Sequence, residues 1–166
     1  MNVNVDHMFE KILMATDGSK HSENAAKLGI DLAKRSEGTV VICYVADING
    51  TIPMGGIGSP FGDIGAYTID PAVFSSLRGT ALQAGVKAAD KVEELAKQAG
   101  VPSEKRVLEG NPAAEILRLA KEESTDIIVI GSIGKTGLEK FFMGSVAEKV
   151  VRNSTVPVLV VHGEVP

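Results

Sequence analysis

A chain of 166 residues with a net charge of −4 and a pI near 5.4 is sized for one packed core, and residues 1–166 read as a single domain. The acidic balance excludes non-specific nucleic-acid binding, which relies on neutralising phosphates with Lys and Arg. With no Trp and only 4% aromatic residues, the core must rest on Val, Ile, Leu and Ala, as suits a parallel sheet covered by Ala-rich helices.

The start, MNVNVDHM, lacks the basic region and apolar stretch of a signal peptide. No apolar run approaches the roughly 20 residues needed to span a bilayer, so the expectation is a cytoplasmic protein without a membrane partner. Lys11 to Thr16 (KILMAT) is a mostly apolar run ended by Asp17-Gly18-Ser19, a strand entering a turn. From Lys20 to Arg35, Ala25, Leu28 and Leu32 recur at helical spacing with Ala33 beside them. Ser19 is the expected N-cap and Gly38 the stop.

Thr39 to Val45 (TVVICYV) is β-branched and apolar throughout, as a central parallel strand should be. It holds the one cysteine, Cys43, which excludes an internal disulfide and a multi-cysteine metal site. In that setting a buried structural thiol is the reading, not a reactive one. Ala46 to Asp70 is Gly-rich, contains Pro53 and Pro60, shows no period and reads as a flexible loop or lid.

After Pro71 a long helix is expected, with Leu77, Ala81, Ala84, Ala88, Val92, Leu95 and Ala99 on one face and Gly100-Val101-Pro102 ending it. Ser103 to Leu108 is a charged, edge-like strand. Asn111-Pro112 starts the next helix, Asn as N-cap and Pro at the first helical position, with Ala113, Ile116, Leu117 and Ala120 inward. Asp126 to Ile130 is a buried strand ended by Gly131. Ser145 to Asn153 is helical, and Val156 to Val161 (VPVLVV) is the last strand.

Strands alternating with helices imply a parallel sheet with right-handed crossovers. The expected fold is α/β: a doubly wound, Rossmann-like sheet of five parallel strands, order 3-2-1-4-5, flanked by four helices. In such sheets ligands sit beyond the carboxyl ends of the strands, where the order reverses. That crevice lies between Asp17-Gly18-Ser19 and Gly131-Ser132-Ile133-Gly134.

The second of these opens a stretch with a definite grammar: Gly131, two residues, Gly134, nine residues, then Gly144-Ser145. Glycines at a strand end let backbone N–H groups approach phosphate oxygens. Gly144-Ser145 then opens a helix, whose free N–H groups and positive dipole end favour an anion. Lys135 and Thr136 stand in the spacer within sequence reach of a terminal phosphate. The plainer reading is that Ser145 and Glu148 form a capping box and that Gly131 and Gly134 are turn residues. Both features at the switch point, with Gly144 before the cap, favour a binding loop. It is not a Walker loop, because Val129 occupies the place of its first Gly. No G-x-G-x-x-G follows the first strand, which argues against NAD or FAD.

On these residues the chain resembles the universal stress proteins of the UspA type, in their ATP-binding branch. Gly131, Gly134, Gly144 and Ser145 match that family's glycine motif. Lys11 to Ser19 resembles its first strand and turn, and Val156 to Val161 its last strand. The resemblance implies ATP, with Mg or Mn, as the ligand. By position, Asp17 would lie near the ribose and phosphates, through a divalent metal, and Val45 would hold the adenine edge with its backbone. Ile130, Gly131, Gly134, Gly144, Ser145 and Val146 would line the phosphates and ribose. Beside Thr16, Ala15 stands where some relatives have proline, with little expected effect.

The resemblance also implies a homodimer, and an apolar edge strand such as Val156 to Val161 invites pairing with a second copy. A receiver domain lacks its acidic pair here and a D-x-D phosphatase lacks its second aspartate, where Ser19 stands. His7, His21 and His162 show no ligand spacing and read as surface residues. Phe141, Phe142 and Met143 read as a packing or dimer pad. A nucleotide-responsive stress or signalling module is therefore expected, with no assigned catalytic residue. The alternatives are a slow ATPase or phosphotransferase using Mg-ATP, and a structural dimer with an empty loop.

Overall fold

The computed structural model describes residues 9–48, 70–133 and 143–163. Its elements are β1 (Lys11–Ala15), α1 (Lys20–Arg35), β2 (Thr39–Ala46), α2 (Pro71–Ala99), β3 (Ser103–Glu109), α3 (Pro112–Glu122), β4 (Ile127–Gly131), α4 (Ser145–Asn153) and β5 (Val158–Val161). All pairings are parallel, and the order is β3-β2-β1-β4-β5. The α/β architecture with its 3-2-1-4-5 sheet and four helices is the one expected from the apolar runs.

The register places β1 centrally, Lys11 opposite Thr39 and Ile12 opposite Ile127. The period of two in these strands then divides the core into two layers. Ile12, Met14, Ile42 and Val129 face α1 and α2, where Ala25, Ala26, Ala89 and Val92 meet them. Leu13, Val41, Cys43 and Ile128 face α3 and α4, against Ala113, Ile116, Ala147 and Val150. Small helical residues against branched strand residues bring the layers close. Each fully buried Ile, Leu or Val stabilises the fold by about 1.5–3 kcal/mol.

Several boundaries and faces differ from the expectation. The buried face of α2 runs through Gly85, Ala89, Val92 and Ala96, while Ala84 is exposed and Leu77 is 46% exposed. Gly85 is selected because the Tyr44 ring takes its side-chain space: an added Cβ would lie 2.5 Å from Cδ1. In α3, Leu119 is buried and Leu117 only partly so. β5 begins at Val158: the Pro157 carbonyl accepts from the Ile128 amide, but proline has no N–H to return to the ladder. Ala46 closes β2 and is buried, and Asp70 caps α2 through the amide of Ala72. Asp47 and the buried Ile48 follow β2, and positions 49–69 of the expected loop lie outside the described residues, as do His7, Gly134, Lys135, Thr136, Phe141 and Phe142.

Both edges of the sheet match the expectation, with β3 on one side and β5 on the other. Ion pairs tie the outer elements together. Arg78 pairs with Glu109 through two bonds of 2.8 and 2.7 Å, fixing α2 to the end of β3. Glu123 receives both Lys11 and Arg106, which hold its carboxyl below the usual carboxylate range.

Candidate functional site

The carboxyl end of β1 runs into a turn held by its own side chains. The Thr16 amide donates to the Cys43 carbonyl at 2.9 Å, extending the β1–β2 ladder by one residue. Gly18, with φ of 77°, takes a left-handed conformation that suits glycine. Asp17 Oδ1 accepts from the Ser19 amide at 2.9 Å, an Asx turn. Ser19 then caps α1 by accepting from the Ser22 amide at 3.1 Å. The buried Thr16 and Ser22 hydroxyls lie 3.1 Å apart. The Asp17 carboxylate is thus set at the mouth of the turn by backbone geometry, half exposed.

The end of β4 is fixed in a different way. Gly131 packs against the first turn of α1. A Cβ there would sit 3.1 Å from the carbonyl carbon and oxygen of His21 and 3.2 Å from the Ser22 amide nitrogen. The missing side chain therefore serves close strand-to-helix packing, which the expectation of phosphate approach does not include. Ser132 follows, its amide donating to the Val161 carbonyl and its own carbonyl accepting from the Gly144 amide at 2.7 Å. Its hydroxyl lies 2.8 Å from Nδ1 of His162.

Gly144, not Ser145, is the N-cap of α4, with φ −62° and ψ 152° and no side-chain hydrogen bond at the cap. The expected Ser145–Glu148 capping box is absent for that reason: Ser145 is already the first helical residue. Glu148 instead pairs with Arg152 at 2.7 Å. By contrast, α1, α2 and α3 all carry side-chain caps, from Ser19, Asp70 and Asn111. The amide donors at the start of α4 thus lack the side-chain acceptor that its three neighbours have.

These pieces enclose a cleft of about 350 Å³ over the carboxyl end of the sheet. Ala15, Thr16 and Asp17 form one side, and Gly144, Ser145 and Val146 the other. Val45, Ile130 and Gly131 lie between them. All nine described residues singled out from the sequence therefore meet in one cavity, while Gly134, Lys135 and Thr136 are outside the described residues. Ser132 and Ile133, placed at the crevice by the expected topology, line it too, whereas sequence reasoning missed Ser22, Cys43, Asp47, Pro112 and Ile116. Asp47 follows the end of β2, and Pro112 opens α3. Crossover topology brings both to the carboxyl end of the sheet, and that rule was the signal available.

Cys43 closes part of the floor, buried as expected. Burial first, and the nearby Glu115 second, push its thiol from 9.0 up to about 12, which keeps it protonated and unreactive. Among the described residues no Lys, Arg or His lines the cleft. No group of three or more His, Cys, Asp or Glu among them converges as a metal site. The arrangement offers an apolar wall, backbone donors at a helix start, hydroxyls, and the two carboxylates of Asp17 and Asp47. No described helix is long and apolar enough to cross a membrane.

The family model described as the universal stress protein family matches residues 8–56 and 64–162. Universal stress protein MJ0531 of Methanocaldococcus jannaschii is 38% identical over 158 residues, covering 95% of this chain and 85% of the relative. The solved structure of MJ0577 from the same organism superposes with a TM-score of 0.72 at 25% identity, covering 96% of this chain and 99% of that one. A universal stress protein solved in complex with cAMP shares the fold, with a TM-score of 0.62 at 22% identity over 93% of this chain and 98% of that one. With the model reaching from β1 to β5 and the first relative matching nearly the whole length, the chain belongs to the universal stress protein family.

Proposed function

We propose that the cleft binds an adenine nucleotide, ATP with Mg or Mn, and that the protein works as a nucleotide-responsive stress or signalling module. The observation that carries this reading is the start of α4: a helix N-terminus without a side-chain cap, opening onto the same cleft as Asp17. Helix N-termini of this kind favour phosphate through their N–H groups and dipole. The apolar strip of Ala15, Val45 and Ile130 suits a flat base. A relative of the same fold holds cAMP, another adenine nucleotide.

Mg is commonly held by one or two carboxylates together with substrate phosphates. Asp17 supplies the carboxylate in this reading, and the described residues add no dedicated metal cluster. Val45 faces the base, Gly131 and Ile130 the sugar, and Gly144, Ser145 and Val146 the phosphates, and Gly134, Lys135 and Thr136 of the glycine motif and its spacer join the phosphate contacts in this reading. Beyond the metal ion, phosphoryl transfer relies on an arginine at the transferred group and on a residue that positions the attacking water, and no arginine is among the described residues that line the cleft. Binding is therefore favoured over turnover. Two copies associate through the β5 edge in the same reading.

Calorimetry with Mg-ATP tests the proposal. Saturable heat is expected from the wild-type protein, and its absence overturns the reading.

A further inference from the structure

Ser132 joins the cleft, the β5 edge strand and the start of α4. Its backbone is fully committed, the amide to Val161 and the carbonyl to Gly144. Only its hydroxyl retains freedom, and that hydroxyl lies 2.8 Å from Nδ1 of His162, an exposed residue just beyond β5. Ser132 itself is 4% exposed and lines the cleft beside Gly131 and Ile133.

A serine hydroxyl has one proton to give and lone pairs to receive with. If it donates to His162, only lone pairs are left for the cleft, and they repel a phosphate oxygen. If Nδ1 carries a proton and donates instead, the hydroxyl proton is released for a second partner. We infer that His162 donates to Ser132 when the cleft is filled, so that Ser132 becomes a phosphate donor and His162 the positioning residue behind it. This rests on the nucleotide reading and adds two residues to it, one inside the cleft and one at the sheet edge. The arrangement is a relay in which an outer group sets which way an inner hydroxyl points, as outer partners orient the ligands of metal sites.

The two residues do different work. Ser132 makes the contact, so its loss removes a hydrogen bond to a charged group. His162 makes none, and its loss returns the hydroxyl to an unbiased rotor. The contact serves phosphate and not the base, so adenosine is blind to both residues.

The experiment is calorimetry of the full-length protein with Mg-ATP and with adenosine. Ser132→Ala is expected to weaken Mg-ATP by about ten-fold, as for one hydrogen bond to a charged acceptor, and His162→Ala by about three-fold, the cost of selecting one of three hydroxyl rotamers that are no longer biased. Adenosine affinity and the melting temperature should stay at the wild-type values. The double variant should be no weaker than Ser132→Ala alone, since the pair acts through one hydroxyl. His162→Asn, whose amide nitrogen takes the place of Nδ1, should recover most of the loss. Equal losses for Mg-ATP and adenosine, additive losses in the double variant, or failure of His162→Asn to recover binding would each overturn the inference. Variants that bind Mg-ATP like the wild type sink this inference alone, whereas a wild type that binds neither ligand sinks the nucleotide reading and this inference with it.

Discussion

The Gly144 amide donates to the Ser132 carbonyl at 2.7 Å, so the chain leaving β4 and the chain entering α4 are fastened at one point. The start of the helix is thereby registered against the end of the central sheet. A helix start that is held in this way can present its backbone donors without relying on a side-chain cap. The absence of a cap on α4 becomes a feature of the cleft, since a cap would occupy the donors a phosphate needs.

That relationship gives a variant that separates helix stability from ligand affinity. Gly144 sits at φ −62° and ψ 152°, a conformation any residue adopts, and Asp is a preferred N-cap. Gly144→Asp should leave the protein as stable as wild type or more stable by a few tenths of a kcal/mol, because its carboxylate satisfies the free donors. The same carboxylate competes with and repels phosphate, so Mg-ATP affinity should fall by at least ten-fold. Thermal melts alongside calorimetry check both halves. Unchanged affinity would remove the α4 N-terminus from the proposed site.

Gly131 behaves in the opposite way. Its missing Cβ is directed at the His21 and Ser22 backbone, 3.1–3.2 Å away, and backbone cannot give as a flexible side chain does. Gly131→Ala is therefore expected to cost about 1–3 kcal/mol as overpacking. For a chain of this size that lowers the melting temperature by roughly 3–10 °C. The loss should appear without nucleotide. A variant that melts like wild type but no longer binds would show that the glycine serves the ligand after all.

The contrast between the two glycines explains how far the sequence could be read. Strand order follows from long apolar runs such as Thr39 to Val45, and the cleft follows from strand order, because a doubly wound sheet reverses at β1 and β4. The roles of single residues depend on partners from distant segments. Nothing local to Gly131 reveals that α1 lies against it. Nothing in the spacing of Ala81, Ala84 and Ala88 reveals that Tyr44 fills the space over Gly85, which turns the buried face of α2 away from Ala84. Ser145 followed by Glu148 has the pattern of a capping box. It fails because the Gly144 contact with Ser132 starts the helix one residue earlier. Pro112 and Ile116 read correctly as the start of a helix, and only the crossover reveals that this start borders the cleft.

Cys43 connects the floor of the cleft to a pH response. Its thiol is held protonated up to about 12 in the folded protein, mainly by burial, against a usual 9.0. The folded state thus keeps a proton that the unfolded state loses. The associated stability is present below pH 9 and is lost as pH rises from 9 towards 12. Chemical denaturation of wild type and Cys43→Ala across that range should give a difference curve that declines with pH. Iodoacetamide at pH 8 should leave the native thiol unmodified. Rapid alkylation, or a flat difference curve, would place the thiol in contact with solvent.

The proposed pairing of two copies through β5 has a test that spares the fold. The Pro157 and Val161 carbonyls point inward, accepting from the Ile128 and Ser132 amides of the β4 side. Alternation along a strand then turns the N–H and C=O of Val158 and Val160 outward, to the open edge. Proline is tolerated on an edge strand where its missing N–H faces away from the ladder. Val160→Pro should accordingly keep the circular dichroism spectrum and the nucleotide affinity of the wild type, while removing a donor needed for pairing across the edge. Sedimentation analysis is expected to show dimer for wild type and monomer for the variant. A variant that remains dimeric would move the interface away from β5, and a wild type that is monomeric at micromolar concentration would remove the pairing altogether.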